Sequence, residues 1–300
     1  MVTTVKQISS RNLQILGWLS VLGSAFFFYL ATAIIRWSQA EVEIQSSFFV
    51  FARFLLGFLI VCLSMLFYKQ KLKPNRYHYL LGRTIGNTVA VFCFYKAVEF
   101  VSVAEANILN MTYPIFIAVF SWFLLPEQRS KLAIFLVLMA FSGIWLILSP
   151  SGGLSFGWHS LWGLTSGFSA AGAMIYLNIS RQYHDSQTIL FFMFGIGTLA
   201  ILVLFHKTFF IPDRREFFYL FSCSASGVLG QYLLTFGFRF VQAVEGSIIS
   251  STRILLAALL GPILVSDPSL TTLGWLGAFL IFSANIFLTI NKRAQAKITA

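Results

Sequence analysis

Charge is what this sequence has least of. Only 10% of its 300 residues are Asp, Glu, Lys or Arg and 58% are hydrophobic, whereas a soluble domain carries about 25% charged residues. That shortage excludes an ordinary water-soluble enzyme and a disordered chain. Cysteine is scarce too. Cys62, Cys93 and Cys223 make an odd number, no two are close, and each sits in an apolar run, so a disulfide-stapled domain is excluded and the three read as packing groups. His78, His159, His184 and His206 lie near the ends of apolar runs without metal-ligand spacing. Neither a P-loop, a Gly-x-Ser-x-Gly turn nor a paired Asp motif is present. No catalytic group, metal or cofactor is therefore expected.

Long apolar runs fill the chain instead. They read as 13–35, 47–68, 77–99, 103–125, 131–149, 158–180, 187–206, 217–238, 243–265 and 271–291, each near the roughly 20 residues a helix needs to cross a bilayer core. The runs are continuous rather than alternating, which favours helices over a β-barrel. The formal net charge is +11, but the basic residues are scattered through short loops, a pattern that orients a membrane protein and makes no groove for nucleic acid. With the amino terminus in the cytoplasm, 13 basic residues fall inside and 5 outside, while Arg53, Arg83 and Arg253 lie within spans. The bias predicts both termini inside.

The chain also repeats itself. With Phe100 laid on Phe240, the segment 100–112 aligns without gaps on 240–252, with identity at Phe100/Phe240, Val101/Val241, Glu105/Glu245, Ile108/Ile248 and Thr112/Thr252. Pro126-Glu127 then falls opposite Ser266-Asp267. An odd number of spans in each half turns the second half upside down relative to the first. The expectation is an all-α integral membrane protein: a cytoplasmic tail (1–12), a first five-helix repeat (13–149), a linker (150–157), a second, inverted five-helix repeat (158–291) and a tail (292–300), with ten transmembrane helices around a central cavity.

Particular residues carry a family likeness: the region of Trp18 and Tyr29, Arg53-Phe54, the stretch from Phe94 to Asn107, Tyr113-Pro114, Leu125-Pro126-Glu127 and Gly143. On these the chain resembles the EamA family of the drug/metabolite transporter superfamily over about 13–291. The second half departs from the pattern, with Arg253 and Ile254 where Tyr113 and Pro114 stand in the first. The resemblance implies two inverted five-helix repeats, a central cavity, alternating access of a small organic solute, and a plasma (inner) membrane location. Members similar to it export amino acids and other metabolites, and some in intracellular bacteria exchange S-adenosylmethionine.

Arg253 is the sharpest candidate, since an unpaired charge in mid-span costs at least about 2.5–3.5 kcal/mol. Its guanidinium offers a planar donor fork for a carboxylate or phosphate; a structural ion pair between helices is the other reading. Ser247 and Ser250 precede it at helical spacing, and Asn107, Asn110 and Tyr113 stand at the matching positions of the first half. Two polar stripes are thus expected to face one cavity. Pro114 withholds a backbone donor and frees the carbonyl of Asn110. Arg83 and Asn87 share a helix face, with Tyr95 further along, and Gln231 heads another. Cavity lining competes with interfacial anchoring for Arg83, while Arg53 reads as an anchor snorkelling to the interface. Glu105 and Glu245 suit either proton coupling or helix capping, and Ser102-Val-Ala-Glu105 fits a capping box. Gly82-x-x-x-Gly86 and Gly163-x-x-x-Gly167 predict close helix approaches.

The expected function is a secondary transporter or exchanger of a small organic metabolite, an amino acid or related amphipathic solute, S-adenosylmethionine-like ones included. A lipid-modifying membrane enzyme or an assembly scaffold is the alternative. The expected partners are the solute and the lipid bilayer, without nucleic acid; a homodimer is left open.

Overall fold

The computed structural model describes residues 10–124, 131–148, 157–237, 240 and 243–298, without the side chains of 10–12, 121–124, 131, 133, 148, 178, 243–248, 288, 289 and 291–298. Among the described residues all regular structure is helical: α1 (Ser10–Ser38), α2 (Ser46–Phe67), α3 (Tyr77–Phe100), α4 (Val103–Asn110), α5 (Tyr113–Leu124), α6 (Lys131–Leu148), α7 (Ser160–Ser180), α8 (Ser186–Phe205), α9 (Arg214–Gly237), α10 (Ala243–Leu264) and α11 (Thr272–Ile298). Leu13–Ser38, Ser46–Phe67, Val103–Phe120, Ser186–Thr208 and Arg214–Gly237 are long and apolar enough to cross a membrane. Helix α3 is less apolar because it buries Arg83, Thr84, Asn87 and Thr88. Meanwhile Leu66, Phe67, Leu199, Val203, Leu204 and Phe279 are exposed. Polar groups inside and apolar ones outside is the arrangement that lipid demands.

The fourth expected span, 103–125, is corrected to two helices. Pro114 cannot donate to the carbonyl of Asn110, and α4 ends there in a turn at Met111-Thr112 before α5 resumes. Other donors repair the break: the Thr112 hydroxyl donates to Leu109 O (2.6 Å) and the Asn285 amide of α11 to Met111 O (2.9 Å). Gly167 of α7 makes the bend possible, because a Cβ there would come within 2.8 Å of Leu109 O.

The packing is itself repeated. The principal interfaces pair α3 with α7, α1 with α9, α2 with α8, and α6 with α11. Exchanging the halves, so that α1 takes the place of α7, α2 of α8, α3 of α9, α4 and α5 of α10, and α6 of α11, maps this set of pairings onto itself. Reciprocal packing in the α2–α8 interface shows it at side-chain level. A Cβ on Gly57 would lie 2.7 Å from the Phe194 ring, and one on Gly197 would lie 2.7 Å from the Phe54 ring. Phe54 and Phe194, like Gly57 and Gly197, stand in the same register that lays Phe100 on Phe240. Gly143 and Gly277 do likewise between α6 and α11 in a slightly different register: a Cβ on either would meet the other's carbonyl oxygen at 2.7 and 2.6 Å. The expected close approaches also stand: Gly82 and Gly86 receive Tyr176 and Ala173 of α7, and Gly163 receives Leu109 of α4.

Candidate functional site

A cavity of about 120 Å³ lies where the two repeats meet, room for about four water molecules at roughly 30 Å³ each. Its wall uses equivalent positions of both halves. Asn110 and Ser250, Tyr113 and Arg253, Phe94 and Leu234, and Val91 and Gln231 all line it, and each pair keeps the register of the sequence repeat. Ser24 and Phe28 of α1 face Ala170 and Met174 of α7 in the same way, at a slightly longer offset. Arg53, Arg83 and Asn87 complete the polar lining.

Arg253 is only 4% exposed, and its partner is neutral: it donates to the side-chain oxygen of Asn110. A relay fixes that amide, since Asn110 Nδ2 donates to Ser166 Oγ (2.5 Å) and Ser166 Oγ donates to Ala90 O (2.8 Å). The chain of bonds crosses α10, α4, α7 and α3 and aims the amide oxygen at the guanidinium. The Phe28 and Phe94 ring centroids lie 5.7 and 5.1 Å from Arg253 Cζ, an aromatic setting that attracts a cation without neutralising it.

Arg53 corrects the reading of an interfacial anchor. It is 4% exposed and lines the cavity, donating from Nη1 to Tyr95 Oη (3.0 Å) with its Cζ 5.3 Å from the Phe28 centroid. Gly227 of α9 gives its side chain passage. Tyr95 stands behind Arg53, wholly buried and also receiving the Cys223 thiol (3.7 Å), and does not line the cavity. Arg83 is 4% exposed and reaches the cavity together with Asn87. The Nε atoms of all three arginines and the hydroxyls of Ser24 and Ser250 are buried without hydrogen-bond partners among the described residues. Buried polar atoms are nearly always satisfied, so these orphans on one cavity point to an occupant.

Other expected residues fall elsewhere. Asn107 ties α4 to α1, donating to Thr32 Oγ1 (3.1 Å) and Val103 O (2.8 Å), and stays behind the wall. Ser102 caps α4, its Oγ accepting from Glu105 N–H (3.1 Å), while the Glu105 carboxylate receives the Ser160 hydroxyl of α7 in place of the reciprocal capping bond. The side chains of Glu245 and Ser247 lie outside the described residues. Trp18 is largely exposed and Tyr29 wholly buried away from the cavity. Sequence reasoning missed Ser24, Phe28, Met174 and the cavity role of Arg53. The correspondence of α1 with α7 was the available signal for the first three.

The end of the bundle at the carboxyl terminus of α1 is latched. Arg36 Nε pairs with Asp267 Oδ1 (2.9 Å) and Arg36 Nη2 donates to Val101 O (2.6 Å), while Asp267 Oδ2 accepts from the first N–H of α4, Val103 N (2.5 Å). Trp37 Nε1 adds a bond to Leu264 O (2.6 Å). The last turn of α1, the α3–α4 link and the α10–α11 link are thereby joined. At the opposite end Asn75 N donates to His184 Nε2 (3.1 Å) and the Arg76 guanidinium lies 4.6 Å from the Tyr183 centroid.

Comparison with known proteins agrees with this geometry. The model of the EamA-like transporter family matches twice, over residues 15–149 and 157–290. The chain belongs to that family. It is 28% identical over 236 residues to the pseudopaline exporter CntI of Pseudomonas aeruginosa, covering 78% of this chain and 81% of that one. It is 28% identical over 270 residues to an uncharacterized transporter of Helicobacter pylori (84% and 89% covered). It is 24% identical over 297 residues to the uncharacterized inner membrane transporter YicL of Salmonella typhimurium (94% and 97%). A solved crystal structure shares the fold at a TM-score of 0.60 and 17% identity, over 95% of this chain and 99% of that one. This EamA-like chain is a multi-pass membrane protein with the two-repeat architecture of a transporter family.

Proposed function

We propose that this protein is a secondary carrier that moves a small organic metabolite bearing an anionic group by alternating access. Ten spans form two inverted five-helix repeats, 13–149 and 158–291, with both termini cytoplasmic in a plasma (inner) membrane, the location named for YicL. One observation carries the reading: a guanidinium, Arg253, is buried at the junction of the repeats against a neutral amide and two aromatic rings, with an Nε–H left unpartnered among the described residues. A buried cation of that kind calls for a ligand's anionic group. Asn110, Tyr113 and Ser250 orient the solute beside it, with Asn87 and Gln231 further along the wall. The Arg36–Asp267 latch closes one end while the cavity lies on the other side of it, so release of the latch and closure of the far end constitute the transport step.

The purified protein reconstituted in liposomes tests this. Arg253→Ala is expected to abolish solute-dependent thermal stabilisation and solute exchange while the protein still folds. Arg253→Lys rescues poorly, because an ammonium cannot hold Asn110 and a carboxylate in one plane. Unchanged solute affinity in Arg253→Ala removes the assignment.

A further inference from the structure

We infer that the solute is at least a dianion. The inference rests on reading this cavity as the solute site and specifies what the site selects. Three guanidiniums line it, and among the described lining residues none is Asp or Glu. Their charge is therefore left for the occupant to balance, and more than one negative charge is needed to do so. The repeat-equivalent positions hold Tyr113 for Arg253, Met193 for Arg53 and Cys223 for Arg83. The cations are thus not a by-product of duplication; none has a cationic counterpart in the other repeat.

Two of them share one aromatic ring, and the third belongs to α3. Arg53 and Arg253 crowd the Phe28 ring at 5.3 and 5.7 Å, and Arg253 also lies 5.1 Å from Phe94. Arg83 precedes Phe94 on α3 by about three turns, roughly 16 Å of helix rise, and carries Asn87 one turn along. Ala90, Val91, Met111 and Met174 add apolar lining, which suits an organic skeleton carrying the charges. Each anionic group of the solute can receive a charge-assisted, forked pair of hydrogen bonds from a guanidinium.

Four six-carbon probes share one chain and differ only in their ends: adipate, hexanoate, 6-aminohexanoate and 1,6-diaminohexane. Adipate is expected to raise the melting temperature of the purified full-length protein at concentrations where the other three do not. Arg83→Gln is expected to weaken adipate at least about tenfold, toward the hexanoate level; if that variant does not fold, Arg53→Gln serves the same comparison. Three results overturn the inference: hexanoate binding as tightly as adipate, preference for the zwitterion or diamine, and absence of any adipate shift. Adipate exchange across liposomes is read separately. Binding without movement keeps the dianion and sinks the carrier, whereas movement of the zwitterion or diamine keeps the carrier and sinks the dianion.

Discussion

A missing side chain on α9 lets Arg53 reach the cavity. A Cβ on Gly227 would lie 2.8 Å from Arg53 Cδ and Nε, well inside van der Waals contact, and the guanidinium is held on its other side by Tyr95. Gly227→Ala is therefore expected to push Arg53 off the Tyr95 hydroxyl, lowering stability by about 1–3 kcal/mol as an overpacked site does and weakening the anionic solute. Thermal unfolding with and without solute checks both. A variant as stable as the parent, with unchanged solute response, removes Arg53 from the wall. At this scale the sequence was informative where the clue lay within one helix. Arg253 at mid-span, Asn110 with Tyr113, and the Arg83–Asn87 pair all line the cavity. Arg53 misled because depth along α2 says nothing of direction; its inward turn depends on Tyr95 from α3 and Gly227 from α9, two partners distant in sequence. Asn107 misled for a related reason. It shares a stripe with Asn110, yet Thr32 of α1 captures its amide before it reaches the cavity.

Among elements, the latch depends on a single carboxylate with two duties. Asp267 neutralises Arg36 through one oxygen and receives the α4 N-terminus through the other. Asp267→Asn keeps the shape and the second bond and removes the charge of the first. The pair is partly exposed, so a loss of about 1–2 kcal/mol is expected, a five- to thirtyfold shift in population toward an open end. Cys223, a native thiol, reports it, being wholly buried against Ala31 and Tyr95. With Cys62 and Cys93 replaced by Ala, a charged thiol reagent is expected to modify Cys223 severalfold faster in Asp267→Asn. Equal rates in the two proteins show that the ion pair does not hold this end shut. Helix boundaries were legible because apolar length is a strong signal. The break in the fourth span was half legible: Pro114 announced the lost hydrogen bond, but whether a helix kinks or ends there depends on who supplies the replacement donors. Here Asn285 from α11 and the Thr112 hydroxyl do so, and Gly167 makes room for the bend.

For the whole molecule, duplication organises both packing and cavity, and the sequence disclosed it through one short match. Phe54 against Gly197 and Phe194 against Gly57 extend the same offset into α2 and α8, where sequence identity at two positions among many apolar residues is too little to notice. Interlocking them in space makes the relation plain, because each ring fills the gap left by the other repeat's glycine. The inversion we propose adds a further physical demand. Five crossings must separate the amino terminus from the linker at 150–157, and ten must separate it from the carboxyl terminus. Reporters that fluoresce only in the cytoplasm, fused at the two ends, are therefore expected to light together. A reporter inserted in the linker stays dark and becomes reactive to an impermeant label from outside. If the linker reporter lights with the ends, the halves run parallel, and the solute site must then switch sides without the exchange of equivalent halves that an inverted pair permits.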